Sequence, residues 1–212
     1  TATTVAMITN GFDTDNFTAV PEPHEGFNVV HTGLFAAAGN PLTFWQLLAK
    51  RCRVSEEFRR SLRIRLSGKT DIEVLDAIRS CGLEANLVNN GYLSHDGAVW
   101  EQKSADLLLL PLRQEPEYSM ILPGKLFEYL ASGRIVLGIG QPDGACARVL
   151  SETAAGRMCA WDDSEGMEAV LDAAWKIYQG ELPPVVSTGV EKYTRKALTV
   201  ELASLLDSVK KN

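Results

Sequence analysis

Four consecutive leucines, Leu107–Leu110, restrict the possible folds of this chain more than any other segment. A strand that is apolar at every position has both faces buried, which is typical of a central parallel strand with helices on either side. Parallel strands are joined by crossover connections, usually helices. The run therefore predicts an α/β protein in which strands and helices alternate along the sequence.

The rest of the sequence shows this alternation. Five further segments have the apolar, β-branched or alternating character of strands: Phe27–Thr32, Leu62–Leu66, Asn86–Asn89, Ile135–Gly140 and Met158–Trp161. Segments with helical spacing of apolar residues separate them, and Asp71, Ser94 and Ser164 are the expected N-caps of three helices. Alternation with short connections implies right-handed crossovers, so we predict a doubly wound, Rossmann-like parallel sheet of about six strands.

The two ends of the chain do not fit the alternating pattern. Residues 1–25 are rich in turn-forming residues, and we predict that they are an interdomain connector. Residues 26–180 hold the alternating elements. In residues 181–212 the pattern breaks at Pro183-Pro184, and Val190–Lys211 has the spacing of one or two amphipathic helices that pack elsewhere. We expect both ends to lie at one edge of the molecule and to expose apolar surface there.

The composition argues against several classes of protein. The formal net charge of -6 argues against a general nucleic-acid surface, because phosphate binding requires clustered Lys and Arg. No apolar run approaches the roughly 20 residues that span a bilayer, and the N-terminus lacks the pattern of a signal peptide. The four cysteines form no Cys-x-x-Cys pair, and no histidine lies near one at metal-site spacing. We therefore expect a cytoplasmic protein with reduced thiols and no metal site.

A doubly wound sheet binds ligands beyond the carboxyl ends of its strands, where the strand order reverses. With the order 3-2-1-4-5-6, this position lies between the first and fourth strands, beside the loops Gly33–Asn40 and Leu112–Pro123. The helix after the second loop begins with Gly124 and Lys125, where free N–H groups and a cation attract phosphate. Glu128, one turn further, is suited to accept two hydrogen bonds from vicinal sugar hydroxyl groups. These features are suited to a nucleotide diphosphate, although a Lys and a Glu in the first turns of a helix are usually just solvated surface residues.

Two further residues have two interpretations each. Arg113, in the second loop, is either a phosphate contact or an ordinary surface residue. His31, at the end of the first strand, points either into the cleft or into the core.

The segment from Leu122 to Gly133, Leu-Pro-Gly-Lys-Leu-Phe-Glu-Tyr-Leu-Ala-Ser-Gly, resembles the signature of retaining GT-B glycosyltransferases of family 4. Other segments resemble landmarks of that family in the same order: Ile8–Asp13, His31–Gly33, Gly91-Tyr92, Ser94-His95 and Ser104–Asp106. The resemblance covers nearly the whole chain. It implies that residues 26–180 are the nucleotide-sugar-binding domain of the C-terminal GT-B half, flanked by segments that lead to a missing N-terminal domain.

The resemblance also implies roles for individual residues. Glu128 is expected to hold the ribose hydroxyl groups, and the backbone from Gly124 to Leu126, with Lys125, to cradle the diphosphate. Gly33 is expected to let the diphosphate approach the first loop. Tyr92 and Leu93 are expected to line the base pocket, and Asp143 and Gly144 are expected to lie near the donor sugar.

The implied activity is transfer of a hexose from a nucleotide diphosphate sugar to an acceptor hydroxyl group. The resemblance implies retention of anomeric configuration and no requirement for a metal or another cofactor. The acceptor site and most catalytic groups are expected in the missing N-terminal domain, so the chain alone is expected to be inactive. Family frequency suggests a setting in polysaccharide biosynthesis and leaves open a peripheral membrane association through the parent enzyme.

Two departures from the family pattern support a different interpretation. Met120 stands where many relatives have a Glu that contacts the donor sugar, and Gly33–Asn40 lacks the basic residue that often binds the phosphates. The alternative is a stand-alone nucleotide-binding or interaction module without catalytic activity. Neither departure affects the expected fold.

Overall fold

The computed structural model describes residues 5–18 and 25–210, with Lys210 described by its backbone alone. The predictions for residues 1–4, 19–24 and 211–212 lie outside these ranges. The strands are β1 Phe27–Thr32, β2 Leu62–Ser67, β3 Leu87–Gly91, β4 Leu107–Pro111, β5 Val136–Ile139 and β6 Gly156–Cys159. The helices are α1 Leu42–Val54, α2 Glu56–Ser61, α3 Ile72–Ser80, α4 His95–Lys103, α5 Gly124–Ser132, α6 Ala145–Glu152, α7 Ser164–Tyr178 and α8 Arg195–Lys210. Short 3-10 helices occupy Thr14–Phe17, Ala37–Gly39, Glu84–Asn86, Pro116–Met120 and Val190–Tyr193.

The six strands form one parallel sheet in the order β3-β2-β1-β4-β5-β6. The chain therefore builds one half of the sheet outward from β1 and then returns to build the other half from β4. This arrangement confirms the predicted Rossmann-like fold, and its strand order is the 3-2-1-4-5-6 order on which the location of the ligand site was based. It places the reversal point between β1 and β4, where Val29 pairs with Leu107.

The leucine run lies in the middle of this sheet and contributes to both of its faces. All four leucines are fully buried. Leu107 and Leu109 belong to a core cluster that includes side chains of α1, α3 and α7, whereas Leu108 and Leu110 belong to a second cluster with α5 and α6. Helices thus cover both faces of the strand, as the unbroken apolar pattern predicts.

The two edge strands differ from their predicted bounds. β6 begins at Gly156, two residues before the predicted Met158. Gly156 can pair here because it has no side chain, whereas a Cβ would overlap the carbonyl oxygen of Val136. β3 begins after Asn86, whose side-chain amide donates to the carbonyl of Leu62 at 3.0 Å and joins the preceding 3-10 helix to the start of β2. Propensity depends strongly on context at a sheet edge, so these bounds are set by contacts distant in sequence.

The three predicted N-caps have different outcomes. Ser94 caps α4, accepting a bond from a backbone N–H of the first turn at 3.2 Å. Asp71 occupies the N-cap position of α3, but its carboxylate accepts a hydrogen bond from the N–H of Ala37 at 3.0 Å. The Ser164 prediction was wrong, because Asp163 caps α7 and Ser164 is its first residue. A carboxylate one residue earlier reaches the free N–H groups of that helix instead.

The two ends of the described chain meet against α5. The N–H of Phe12 donates to the carbonyl of Tyr193 at 3.1 Å, and the N–H of Arg195 donates to the carbonyl of Phe12 at 2.8 Å. The Phe12 and Tyr193 side chains are buried in the cluster that includes α5. In contrast, α8 leaves Val200 62% and Leu206 55% exposed. Docking of a further domain on this surface stays a prediction. Within the described ranges, no helix, α8 included, has the length and apolar character needed to cross a membrane.

Candidate functional site

The two loops at the reversal point line a half-open cavity of about 270 Å³. The loop after β1 contains the 3-10 helix Ala37–Gly39, and the loop after β4 contains the 3-10 helix Pro116–Met120. The loops pack backbone against backbone, since a Cβ on Gly39 would lie 3.0 Å from the carbonyl oxygen of Leu112. This is the place where the strand order predicts a ligand site.

The N-terminus of α5 opens beside this cavity. Pro123 is its N-cap residue, and no side chain caps the helix. The N–H of Leu126 donates to the carbonyl of Pro123 at 3.0 Å, and the Leu126 side chain is fully buried. The first N–H groups of a helix have no partner within it, so those of Gly124 and Lys125 are available to an anion.

Lys125 lies beneath the first loop. Its Nζ donates to the carbonyl oxygen of Leu34 at 3.2 Å and lies 3.2 Å from His31 Nε2. A Cβ on Gly33, which has a φ of +92°, would lie 3.3 Å from the same Nζ. Burial lowers the pKa of Lys125 to about 8, and the nearby Glu128 carboxylate opposes this shift. The side chain is thus a partly desolvated cation aimed at the cavity.

His31 is a buried residue of β1 that contacts the Lys125 side chain. Its Nδ1 lies 3.0 Å from the carbonyl oxygen of Leu109. Burial and the Lys125 charge lower the pKa of His31 to about 3, so the ring is neutral near pH 7. Nε2 also lies 3.3 Å from the carbonyl oxygen of Leu34, but that carbonyl already accepts from Lys125. The shorter contact with Leu109 therefore places the ring proton on Nδ1, and the Nε2 lone pair accepts from Lys125. The structure therefore supports the core interpretation of His31, and the ring reaches the cavity only through its contact with Lys125, which lines it.

Glu128 is held by a side chain that sequence reasoning missed. Gln102, fully buried in α4, donates from Nε2 to Glu128 Oε2 at 2.8 Å and to Thr32 Oγ1 at 2.9 Å. The N–H of Thr32 donates to the hydroxyl of Tyr129 at 3.0 Å, and burial raises the pKa of Tyr129 to about 12. This network fixes the Glu128 carboxylate relative to the end of β1. A polar residue on the buried face of a predicted helix was the available signal for Gln102.

A ledge of backbone joins the ends of β1, β2 and β3. Gly33, Gly68 and Gly91 follow or end these strands with φ values of +92°, +122° and +65°. The N–H of Gly33 donates to the carbonyl of Ser67 at 2.7 Å, and the N–H of Gly68 donates to the carbonyl of Gly91 at 2.6 Å. A Cβ on Gly68 would overlap the backbone of Gly33. The glycines therefore form a surface without side chains that a ligand can approach closely.

Tyr92 and Leu93 lie at the far end of this glycine ledge. Tyr92 is 92% exposed, and Leu93 is half-buried beside Gly97 at the start of α4. The structure therefore places both residues next to Gly91 and outside the cavity that contains Lys125.

The residues predicted near the donor sugar gather around the second loop. Gly144 is the N-cap of α6, and a Cβ on it would lie 2.8 Å from the carbonyl oxygen of Ser119. Asp143 is exposed next to Gly144, and Met120, in the loop after β4, is 69% exposed. These residues border the loop that forms one wall of the cavity.

Arg113 lines the cavity, but its guanidinium group is already engaged. It donates to Glu115 at 2.7 Å and to the hydroxyl of Tyr118 at 3.0 Å, and it lies over the Tyr118 ring. These contacts raise the pKa of Arg113 further and hold the side chain along the loop. Among residues 5–18 and 25–210, no three His, Cys, Asp or Glu side chains are arranged to hold a metal ion.

Comparisons with known proteins identify the fold. No family model and no curated protein matches the sequence. Among solved structures, HepE from Anabaena, in complex with UDP, matches 95% of this chain over 57% of its own length, with a TM-score of 0.65 and 15% identity. Sucrose-phosphate synthase from Thermosynechococcus elongatus matches 96% over 52% of its length, with a TM-score of 0.69 and 15% identity.

A third structure, WaaG, is a glycosyltransferase involved in lipopolysaccharide biosynthesis. It matches 82% of this chain over 43% of its own length, with a TM-score of 0.56 and 18% identity. The chain therefore spans about half the length of the structures it resembles. Similarity at these identities establishes a Rossmann-like fold that matches one half of GT-B glycosyltransferases.

Proposed function

We propose that this chain is the donor-binding half of a glycosyltransferase that moves a hexose from a nucleotide diphosphate sugar to an acceptor hydroxyl group. The proposal includes a family 4, retaining mechanism that uses no metal or other cofactor. The observation that carries it is the meeting of Lys125, the open N-terminus of α5 and Glu128 at the reversal point of the sheet. The likeness in fold to the glycosyltransferase WaaG, and to HepE in complex with UDP, supports it.

Lys125 and the first N–H groups of α5 are suited to a diphosphate. Of the three protons on the Lys125 ammonium, two are directed to His31 Nε2 and to the Leu34 carbonyl. The third remains for a phosphate oxygen. In a transfer reaction the diphosphate leaves with increasing negative charge, and prearranged N–H groups and a cation stabilise that charge. The cation needs little rearrangement, because His31 and Leu34 already fix its position.

Glu128 is suited to the ribose. Its carboxylate is half-buried and held through one oxygen by Gln102, so it is oriented before any ligand binds. An oriented carboxylate accepts two hydrogen bonds from a vicinal diol with charge assistance. The glycine ledge then leads from this position towards Tyr92 and Leu93, where we place the base.

The remaining parts of the proposal concern the whole protein. The similar structures extend well beyond the matched region, so we propose an N-terminal domain that binds the acceptor and contributes most catalytic groups. Residues 1–25 and 181–212 would connect to it, and the 212-residue chain alone would be inactive. We also propose a cytoplasmic location and a role in polysaccharide biosynthesis.

Calorimetric titration of the chain with UDP, dTDP, GDP, ADP and CDP, each beside its nucleoside, tests the proposal. We expect one diphosphate to bind, and to bind more tightly than its nucleoside because Lys125 contacts the phosphates. Failure of all five to bind would refute the proposal. The exposed Met120, in place of a carboxylate, favours a stand-alone nucleotide-binding module as the second candidate. Sugar transfer by the full-length protein would exclude that module.

A further inference from the structure

The cavity between the two loops has mainly carbon walls. Among the described side chains that line it, Arg113, Tyr118 and Lys125 carry the polar groups, and none is a carboxylate. Arg113 is bonded to the Tyr118 hydroxyl, and Lys125 to His31 and a backbone carbonyl. The cavity therefore offers a ligand's hydroxyl groups three polar side chains, each already partly engaged, and its other lining side chains are apolar.

Two large apolar side chains stand open to solvent at the cavity. Leu34, in the first loop, is 59% exposed, and Ile121, in the second loop, is 40% exposed. They lie on the two loops that form opposite walls, close to a charged lysine. Exposed apolar surface rimmed by polar groups is typical of a ligand-binding groove.

The position of the cavity along α5 relates it to the sugar of the donor, given the proposed function. Lys125 lines the cavity, whereas Glu128 is bonded to Gln102 on α4. With the ribose at Glu128 and the diphosphate at Lys125, the group attached to the far phosphate lies at the cavity.

An unmodified hexose fits such walls poorly. It carries hydroxyl groups on most of its carbons, and burying a hydroxyl group without a hydrogen-bond partner is unfavourable. A methyl group, in contrast, gains from burial against leucine and isoleucine. We infer that the donor sugar bears a methyl group, as 6-deoxyhexoses and N-acetylhexosamines do, and that this methyl group enters the cavity between Leu34 and Ile121.

The test uses three donors that share the base whose diphosphate binds most tightly. They carry glucose, 6-deoxyglucose and N-acetylglucosamine, and their affinities for the 212-residue chain are measured by calorimetry. We expect one of the two methyl-bearing donors to bind about ten-fold more tightly than the glucose donor. The favoured donor distinguishes the deoxy group from the acetamido group.

A pair of variants links this preference to the cavity. Leu34→Ser should reduce the preference to less than about two-fold, because it removes one apolar wall. Val54→Ser, at the end of α1 and 79% exposed, is the matched control and should keep the preference. If the three donors bind equally while their diphosphate still binds, the inference is overturned and the proposed function stands. A preference that survives Leu34→Ser would also overturn the inference. If no diphosphate binds, the proposed function fails, and the inference fails with it.

Discussion

Lys125 Nζ lies 3.2 Å from His31 Nε2, so a buried, neutral imidazole accepts a hydrogen bond from the cation at the mouth of the cavity. The imidazole is fixed in turn by the carbonyl of Leu109 in β4. The relationship ties the two strands at the reversal point to the first turn of α5. We therefore expect His31 to position any anion that Lys125 binds.

Replacing His31 by Leu should weaken diphosphate binding about three- to ten-fold and leave nucleoside binding nearly unchanged. The reason is that Lys125 loses the acceptor that directs it towards the phosphates. Calorimetry with the diphosphate and its nucleoside measures both effects. Gln46→Leu, at an exposed position of α1, is the control. Equal losses for the two ligands would indicate general disruption of the site and contradict a positioning role.

Diphosphate affinity should fall by up to about ten-fold as the pH rises from 7 to 9. The pKa of Lys125 is lowered to about 8, so its ammonium is mostly charged at pH 7 and mostly neutral at pH 9. Titrations in buffers of different ionisation enthalpy should also show proton uptake on binding near pH 8. The Lys125→Met variant should bind more weakly at pH 7 and lose this pH dependence. A wild-type profile that stays flat over this range would contradict the proposed role of the charge.

The same lysine should reduce the stability of the free protein. Its folded pKa is lowered, so the cost of burying the charge is complete below pH 8 and disappears as the pH rises towards 10.5. Lys125→Met should therefore raise the free energy of unfolding by about 1–3 kcal/mol at pH 7, and by much less at pH 10. Urea denaturation at both pH values measures the difference. Lys69→Met, at an exposed position, serves as the control. A gain that is equal at the two pH values would point to packing instead of charge.

Glu128→Gln should weaken the diphosphate and its nucleoside alike, by about ten-fold each. The substitution keeps the shape of the side chain and its position beside Gln102. It changes the charge-assisted hydrogen bonds to the ribose into neutral ones, a difference of about 1–2 kcal/mol in binding free energy. The matching 2′-deoxynucleoside lacks one hydroxyl group of the diol, so the difference in affinity between the two proteins should be smaller for it. An unchanged nucleoside affinity would remove the ribose role from Glu128.

The parallel strands and the first turn of α5 could be predicted because their signals are local. The run Leu107–Leu110 identifies a central strand, and Lys125 and Glu128 follow a loop that the strand order places at the reversal point. The groups that hold these two residues could not be predicted in the same way. His31 lies 94 residues from Lys125, and Gln102 lies 26 residues from Glu128. Only the folded sheet brings them together, so neither spacing nor periodicity indicates the contact.

Gly68 is likewise brought into contact with a residue distant in sequence, Gly33, only by the folded sheet. Substituting it provides a direct test of the glycine ledge. Its φ is +122°, and a Cβ there would overlap the Gly33 carbonyl. Gly68→Ala should therefore cost more than about 2 kcal/mol of unfolding free energy, since the backbone of two strand ends has to move. Gly82→Ala is a matched control, because its φ is also positive, at +78°, but a Cβ there would meet no atom within 4 Å. That variant should lose only the cost of the left-handed conformation, about 1 kcal/mol. Thermal and urea unfolding of the two variants compares them, and similar losses for both would show that the ledge is not closely packed. Where Gly68→Ala remains folded, its diphosphate affinity should also decrease, because the displaced Gly33 lies directly above Lys125.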